Sequence, residues 1–596
     1  MASRAHWKSP ESPGLVSLNE LLLWSKLRGD EPRVCAKRQG RWEGLTARGF
    51  YQQARSLAGQ LEAAPGEHVA ILAESGPEWL VADFACLAAG VVDVPIYPTL
   101  TAEQIAYILR DCGAVGIFVS TAAQAAKVAA IRGGLPELRW VLCFEDPGWP
   151  ERVRRRVEGS EAEFDARLQA TPGERVATLL YTSGTTGVPK GVALTHSNLC
   201  ANLNVSTLDF HFAGWERRLS ILPLAHITER HIAYVDMLYG EATYFAESME
   251  RVAENLLEVR PTLLVSVPRL FEKVAAGVRA KVAGGSRLQR RIFAWAQGVG
   301  REMAPHRLAG TPPRQLGLGL RLRAAAAEAL VGRKLKARLG GRLTKIISGG
   351  APLGKELAEF LLSLGVVVDE GYGLTETAPV IALNRPGGRR PGSIGRPLPN
   401  LEVRFAADGE LLVRGPSVFA GYYHLPEETA AAFEGEWFKT GDIGYQDADG
   451  FLYLTDRKKD LIKTSGGKFI APQPIEAKLK ATGLVAEAVV VGDGRNYASV
   501  LLVPNWEALA AAGCACADRP AACRDARVRG LFQAELDRVN AGLARFETLK
   551  KFALLPAEFT VASGELTPTI KVRRRAVEQN YRGVIDGLYR EAPAAD

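Results

Sequence analysis

Residues 176–191 read VATLLYTSGTTGVPKG, an apolar run feeding directly into glycines, hydroxyls and one lysine. The run predicts a strand. The loop behind it, Thr182, Ser183, Gly184, Thr185, Thr186 and Gly187, lets hydroxyls and backbone N–H groups converge on phosphate oxygens. Lys190 adds a positive charge. The spacing is not that of the Walker loop, in which Gly-Lys-Ser/Thr opens a helix; here Pro189 precedes the lysine and Gly191 follows it. Such a loop standing alone reads equally as a flexible turn, but the order of hydroxyls, glycines and lysine favours phosphate.

Outward from this loop the chain alternates. HVAILAES, PEWLVADFACLAAG, VVDVPIY, AEQIAYILRDCG and AVGIFVS follow one another within residues 40–145. Short apolar runs alternating with helical patterns predict a parallel sheet covered by helices. The same rhythm returns from LSILPLAH through PTLLVSVPRLFEKV to LTKIISGGAPL and VVVDEGYG. From Gly392 to Tyr453 the texture becomes short strands and turns, a small β-rich unit, and after Asp456 an α/β segment runs onward. The Ala-rich stretch at 324–330 predicts helix. The fold class is therefore α/β.

At 596 residues more than one core is required. Hydrophobic content of 47% and charged content of 23% are those of a globular protein. No run reads as a transmembrane helix, because Val81–Tyr97 carries Asp83 and Asp93. The opening MASRAHWKSPESPG lacks a continuous apolar core, so no secretory signal is expected, and the expected location is cytoplasmic. Eight scattered cysteines exclude a disulfide scaffold. Cys514, Cys516 and Cys523 cluster without a histidine or fourth thiol to complete a metal site. The net charge of +8 is local: residues 273–342 carry +14, leaving the remainder acidic. No helix-turn-helix, zinc-finger or ribonucleoprotein pattern accompanies that segment, so nucleic acid is not expected as a partner.

Further motifs follow the first in order: SGGAPL at Ser348–Leu353, DEGYGLTET at Asp369–Thr377, FKTGDIG at Phe438–Gly444, DRKKDLIKTSGGKFIAP at Asp456–Pro472 and GELTPTIKVRR at Gly564–Arg574. Together with the phosphate loop they resemble the adenylate-forming superfamily of acyl-CoA synthetases, luciferases and peptide-synthetase adenylation domains, over essentially the whole chain. LPLAHITERH (Leu222–His231), PTLLVSVPRLFEKV, the basic insertion and NAGLARFETLKKFALLPAEFTV are similar to the long-chain fatty acyl-CoA synthetases.

The resemblance implies a large N-terminal domain (1–455) of α/β subdomains plus the β-rich unit, a hinge at 456–459, and a small mobile C-terminal α/β domain (460–596). It implies ATP and CoA as co-substrates, Mg²⁺ as cofactor and a long-chain fatty acid as substrate. Gly349, Gly350, Ala351, Glu370, Gly371, Tyr372 and Gly373 would line the adenine pocket, with Tyr372 against the base. Thr375 would bond the α-phosphate, and Glu376, with Thr182, would hold Mg²⁺. Asp442 would take both ribose hydroxyls, with Arg457 nearby. Lys459 would be the pivot, the Gly466-Gly467-Lys468 loop would line the thiol channel, and Lys463 would be a further cofactor-binding residue. Lys571 would make the adenylate and His226 would stand beside the reacting carboxylate. Singly, each has a plainer reading: Lys571 as a solvated charge in IKVRRR, Asp442 as a turn cap, His226 as a core histidine.

Two rivals share these motifs: an acyl-AMP ligase serving a carrier-protein thiol, and a non-catalytic fatty-acid trapping protein at a membrane. The basic segment is expected to touch anionic membrane. Its SRLQRRIFAWAQGVG places Leu288, Ile292, Trp295 and Val299 at helical spacing beside Arg287, Arg290 and Arg291. The alternative is that this stripe packs on the protein's own core.

Overall fold

The computed structural model describes residues 14–183, 188–212, 214–514, 516–567 and 571–590. The described strands form five sheets, of nine, six, five, three and two strands, the smallest pairing Ile462–Lys463 with Phe469–Ile470.

The first sheet has six strands in the order Trp140–Cys143, Gly116–Val119, His68–Leu72, Val92–Ile96, Val176–Ser183 and Pro189–Thr195. The first five are parallel; the last pair is an antiparallel hairpin in which Thr182 faces Lys190. The Gly/Ser/Thr segment is therefore flanked by two paired antiparallel strands, whereas a Walker loop opens a helix. The second sheet has nine strands: Arg396–Pro397, Val380–Leu383, Asp369–Gly373, Lys345–Ser348, Leu263–Ser266, Arg217–Ser220, Ala242–Phe245, Pro32–Arg38 and Arg41–Thr46. Its centre is parallel and its margins antiparallel.

Helix α1, Pro77–Ala89, is apolar all round and buried along nearly its whole length. Such a helix belongs inside a protein rather than on its surface. Its Trp79, Leu80 and Phe84 share one core with Phe118 of the first sheet and Val265 of the second. Helix α2, Ile227–Tyr239, lies in the same core through Tyr234 and Leu238. The β-rich unit is a five-stranded sheet between Glu402 and Arg457.

The basic segment folds as helices α3 (Pro268–Ala283), α4 (Arg287–Leu308) and α5 (Leu318–Ala327). The Ala-rich stretch is helical to Ala327 and then widens into one π-type turn, Glu328–Gly332. The anticipated stripe on α4 is split. Val299 is buried and Ile292 partly so, whereas Leu288 and Trp295 are 66% and 41% exposed. The reason lies at Gly300, where a Cβ would come within 1.7 Å of the Ser363 carbonyl oxygen. That close approach turns Ala296, Val299 and Gly300 inward and leaves the other face uncovered. Among the described residues no helix is long and apolar enough to cross a membrane.

The C-terminal unit is a three-stranded sheet of Val485–Val491, Ala498–Pro504 and Leu549–Leu554. Its residues alternate between two cores. Val490, Val500 and Leu502 join one, containing helix α6 (Pro472–Lys480) and Ala526–Asn540, and Val489, Val491 and Leu501 join the other. This period of two is the signature of a sheet covered on both faces. All eight cysteines are free thiols.

Candidate active site

Gly184, Thr185, Thr186 and Gly187 lie outside the described residues, as does the Ser183 side chain; the strands holding them do not. Lys190, opposite Thr182 in the hairpin, places its ammonium 5.3 Å from the ring centroid of Tyr422. The hydroxyl of Tyr422 in turn donates to Glu376 Oε1 at 3.0 Å. Its backbone is fixed as well: Tyr422 bridges Val192, and the Tyr423 N–H donates to the Gly191 carbonyl. One aromatic residue thus links the basic and acidic members of the phosphate region. Sequence reasoning missed it, since Gly421-Tyr-Tyr carries no chemical signal of its own.

Glu376 and Thr375 sit on a single 3₁₀ turn, Thr375–Thr377, after the strand Asp369–Gly373. Burial lifts the Glu376 carboxyl above its usual range, and the Tyr422 hydroxyl pulls it back. The turn is possible because residue 373 is glycine: a Cβ there would stand 1.8 Å from the Pro379 carbonyl oxygen.

Tyr372, on the same strand, donates its hydroxyl to Asp442 Oδ2 at 2.5 Å. Arg457 Nε lies 3.0 Å from the other Asp442 oxygen, and the two residues face each other across neighbouring strands. Both oxygens of a buried carboxylate are therefore oriented by fixed partners. Ser348 is buried and Gly349 donates to the Ser266 carbonyl, which fixes the start of SGGAPL; Gly350 has φ +80°, the left-handed region that glycine enters without strain. Glu370 is buried behind the SGGAPL segment. Its carboxylate accepts the Leu353 N–H at 3.0 Å, and burial lifts its pKa to about 7, so it holds the loop from behind.

His226 caps helix α2, its Nδ1 accepting the Thr228 N–H at 3.1 Å. Burial and the nearby Lys571 push its pKa down to about 3, so the ring is neutral. With Nδ1 an acceptor, the proton of the neutral ring is on Nε2, leaving that nitrogen a donor. The first turn of α2 is held from two sides. Arg230 Nη2 meets Asp83 at 2.5 Å and Asp93 at 2.7 Å, while Arg218 pairs with Glu229 and with Asp236. All six side chains are buried. The sequence signal was available, since charges on a helix with no polar face must find partners inside.

Lys571, though carried by the C-terminal unit, enters this site. Its Cε lies 3.8 Å from where a Cβ on Gly350 would stand. Burial and Arg457 lower its pKa to about 8, with Asp442 opposing them. Lys459 is exposed, between Lys458, which pairs with Glu410 and Asp408, and Asp460. Lys463, Gly466 and Gly467 are held elsewhere: Lys463 donates to Asp493 at 3.0 Å, Ser465 to Asn496 at 2.7 Å, and Gly467 closes a turn on Thr464. Their contacts stay among residues 464–496, so this arrangement does not bring them to Lys571.

A divalent cation fits the donor set present. Among the described residues no group of three His, Cys, Asp or Glu side chains forms a cage. A single carboxylate beside a phosphate-type loop suits a hard ion completed by phosphate oxygens and water.

A family model described as AMP-binding enzyme matches residues 24–423, and one described as AMP-binding enzyme C-terminal domain matches 459–593. The long-chain-fatty-acid–CoA ligase FadD15 of Mycobacterium tuberculosis is 38% identical over 92% of this chain and 93% of its own. The long-chain-fatty-acid–CoA ligase ACSBG2 of Xenopus laevis is 31% identical over 95% of this chain and 82% of its own. The solved adenylation domain of a carboxylate reductase from Mycobacterium chelonae shares the fold, with TM-score 0.74 and 24% identity over 97% of this chain and 92% of that one. The chain belongs to the AMP-binding, adenylate-forming enzymes, among their long-chain-fatty-acid–CoA ligases.

Proposed function

We propose that the protein activates a long-chain fatty acid with ATP and passes the acyl group to CoA. In the first step a carboxylate oxygen attacks the α-phosphorus, the bond to the bridging oxygen breaks, and pyrophosphate leaves. In the second, the CoA sulfur attacks the acyl carbon, AMP leaves, and the thiol proton goes to solvent.

The observation that supports this reading is the approach of Lys571 to Gly350, within electrostatic reach of Asp442, Arg457 and His226. An ammonium there screens two anions that must meet. The Nε2–H of neutral His226 orients the fatty carboxylate, Lys190 receives the departing phosphates, and Asp442 takes the ribose. Mg²⁺, held by Glu376 with Thr182 beside it, would neutralise phosphate charge. Holding carboxylate and nucleotide together supplies about 7–11 kcal/mol of the barrier.

In this reading residues 1–455 form one domain and 460–596 the other, with the pivot at 456–459. Rotation withdraws Lys571 and brings the Gly466-Gly467-Lys468 loop to the thiol channel. Helices α4 and α5 rest on the cytoplasmic face of an anionic membrane, where the substrate is dissolved; the exposed Leu288, Trp295, Leu318 and Leu322 amid arginines support this. The test is AMP release by the purified protein with a panel of fatty acids. Release that requires CoA supports the proposal, release that requires a carrier protein supports the ligase rival, and no release supports the trapping rival.

A further inference from the structure

Helix α3 begins on the wall of the site: Val267, the residue before it, has Cγ1 3.7 Å from the Cβ position of Gly350. One turn in, Arg269 and Glu272 share a face, being three apart on a helix. Helix α6 and the following strand come against that face from the C-terminal unit. Lys480 Nζ lies 3.1 Å from Glu272 and 3.9 Å from Glu487, and Arg269 lies 3.7 Å from Glu487. The order Glu272–Lys480–Glu487–Arg269 alternates in sign, two charges from each side. Beside it, Arg279 donates to the Ala481 carbonyl at 2.8 Å.

These charges are not ordinary surface pairs. The side chains of Glu272, Lys480 and Glu487 are 24%, 25% and 9% exposed. Burial opposes the charge on Lys480, yet Glu272 and Glu487 hold its pKa above the usual lysine range. Partial exclusion of water strengthens such attractions beyond those of exposed pairs.

One turn before Lys480, on the same face of α6, Glu476 connects to the Lys571 segment. Glu476 pairs with Arg574 at 2.7 Å, and Arg574, three residues after Lys571, also donates to the Val490 carbonyl. Asp456 accepts the Gln473 N–H at 3.0 Å, tying the start of α6 to the proposed pivot. Helix α6 is thus fastened both to α3, through Lys480, and to the Lys571 segment, through Glu476.

We infer that Arg269, Glu272, Lys480 and Glu487 are positioning residues that seat Lys571 for adenylate formation and must part before the acyl group reaches CoA. The inference rests on the proposed two-step activity. Any rotation at 456–459 that withdraws Lys571 carries Lys480 and Glu487 away from α3, because they belong to the same packed unit. The quartet therefore favours the first half-reaction and opposes departure toward the second.

The test uses the full chain as Lys480→Glu, Glu272→Lys and the combined exchange. It measures hexadecanoate-dependent ATP–pyrophosphate exchange, thioester formation from supplied hexadecanoyl-adenylate and CoA, and the thermal midpoint. Each single variant is expected to lose about tenfold or more in exchange while keeping or gaining in thioester formation. The combined exchange of charges should recover most of the loss, as expected for directly coupled residues. Raising salt should depress exchange in the parent more than thioester formation. Equal losses in both half-reactions, or parental exchange rates in both single variants, would overturn the inference. If the reversals do not fold, Lys480→Gln and Glu272→Gln carry the same criteria. A parent inactive in both half-reactions would instead refute the activity. The distance between spin labels on the two units then decides the seating alone: it must lengthen in Lys480→Glu, and an unchanged distance overturns it.

Discussion

Lys571 Cε stands 3.8 Å from the Cβ position of Gly350, so a lysine of the C-terminal unit meets the loop that follows the strand Lys345–Ser348 of the second sheet. Residue 350 has no side chain to obstruct that approach, and its φ of +80° is one that glycine adopts without strain.

Lys571→Ala should abolish acyl-adenylate formation while sparing thioester formation from supplied acyl-AMP. Loss of one preorganised cationic contact costs on the order of 10²–10³ in rate. Separate assays of the half-reactions check this, and equal losses would reassign the residue.

The pH dependence follows from the same side chain. Its working form is the cation, and its pKa of about 8 means that kcat/KM for ATP in the first step falls as pH rises through 8. For stability the sign is opposite. The folded pKa is below the unfolded 10.5, so the unfolded chain binds more protons between these values. The cost of burying the charge is present in full below pH 8 and relieved toward 10.5. Lys571→Met should therefore raise the thermal midpoint at pH 7 while removing activity.

Tyr422→Phe should slow adenylate formation by roughly 10–100-fold, the value of a hydrogen bond to a carboxylate at about 1.5–3 kcal/mol. The hydroxyl lost is the one that orients Glu376. Thioester formation from supplied acyl-AMP should be unchanged, and a rise in the magnesium concentration required for ATP binding, measured by calorimetry, is the second readout.

Lys459→Pro should have the reverse profile of Lys571→Ala. Proline fixes φ near −65° and removes an N–H, so a pivot needing two backbone conformations keeps one. Adenylate formation should survive and transfer to CoA fail; normal completion of both steps would move the pivot elsewhere.

Arg287, Arg290 and Arg291 reversed to Glu should weaken binding to anionic vesicles without affecting turnover of a short, water-soluble acid. Each basic residue near such a surface contributes about 1 kcal/mol, screened beyond about 8–10 Å at physiological salt. Parental binding should therefore fall steeply with salt. Unchanged binding in the triple variant, or none by the parent at low salt, would leave α4 a structural role alone.

The sheets were legible because apolar runs and helical patterns alternate, and the site because its motifs fall at strand ends where a backbone can turn. What escaped the sequence depends on meetings between distant segments. Tyr422 acquires its meaning only beside Lys190 and Glu376. The stripe on α4 showed the right period, but which face is buried was decided by Gly300 against Ser363. Lys463, Gly466 and Gly467 follow the hinge motif in sequence, yet hydrogen bonds to 493–496 hold their loop apart from Lys571.

The Arg230 cluster draws Asp83 of α1, Asp93 and Thr178 of the first sheet, and Tyr234 of α2 into one buried knot. Pulling any strand free would leave a charge stranded in a dry interior, which costs several kcal/mol. Arg218 of the second sheet pairs with Glu229 and Asp236 of the same helix α2, so the two large sheets should lose structure together in a single sharp thermal transition. The C-terminal unit, with its own two cores and only a handful of polar ties to α3, has no such knot to share. It should melt as a separate, earlier event, and its loss need not drag the nucleotide pocket with it.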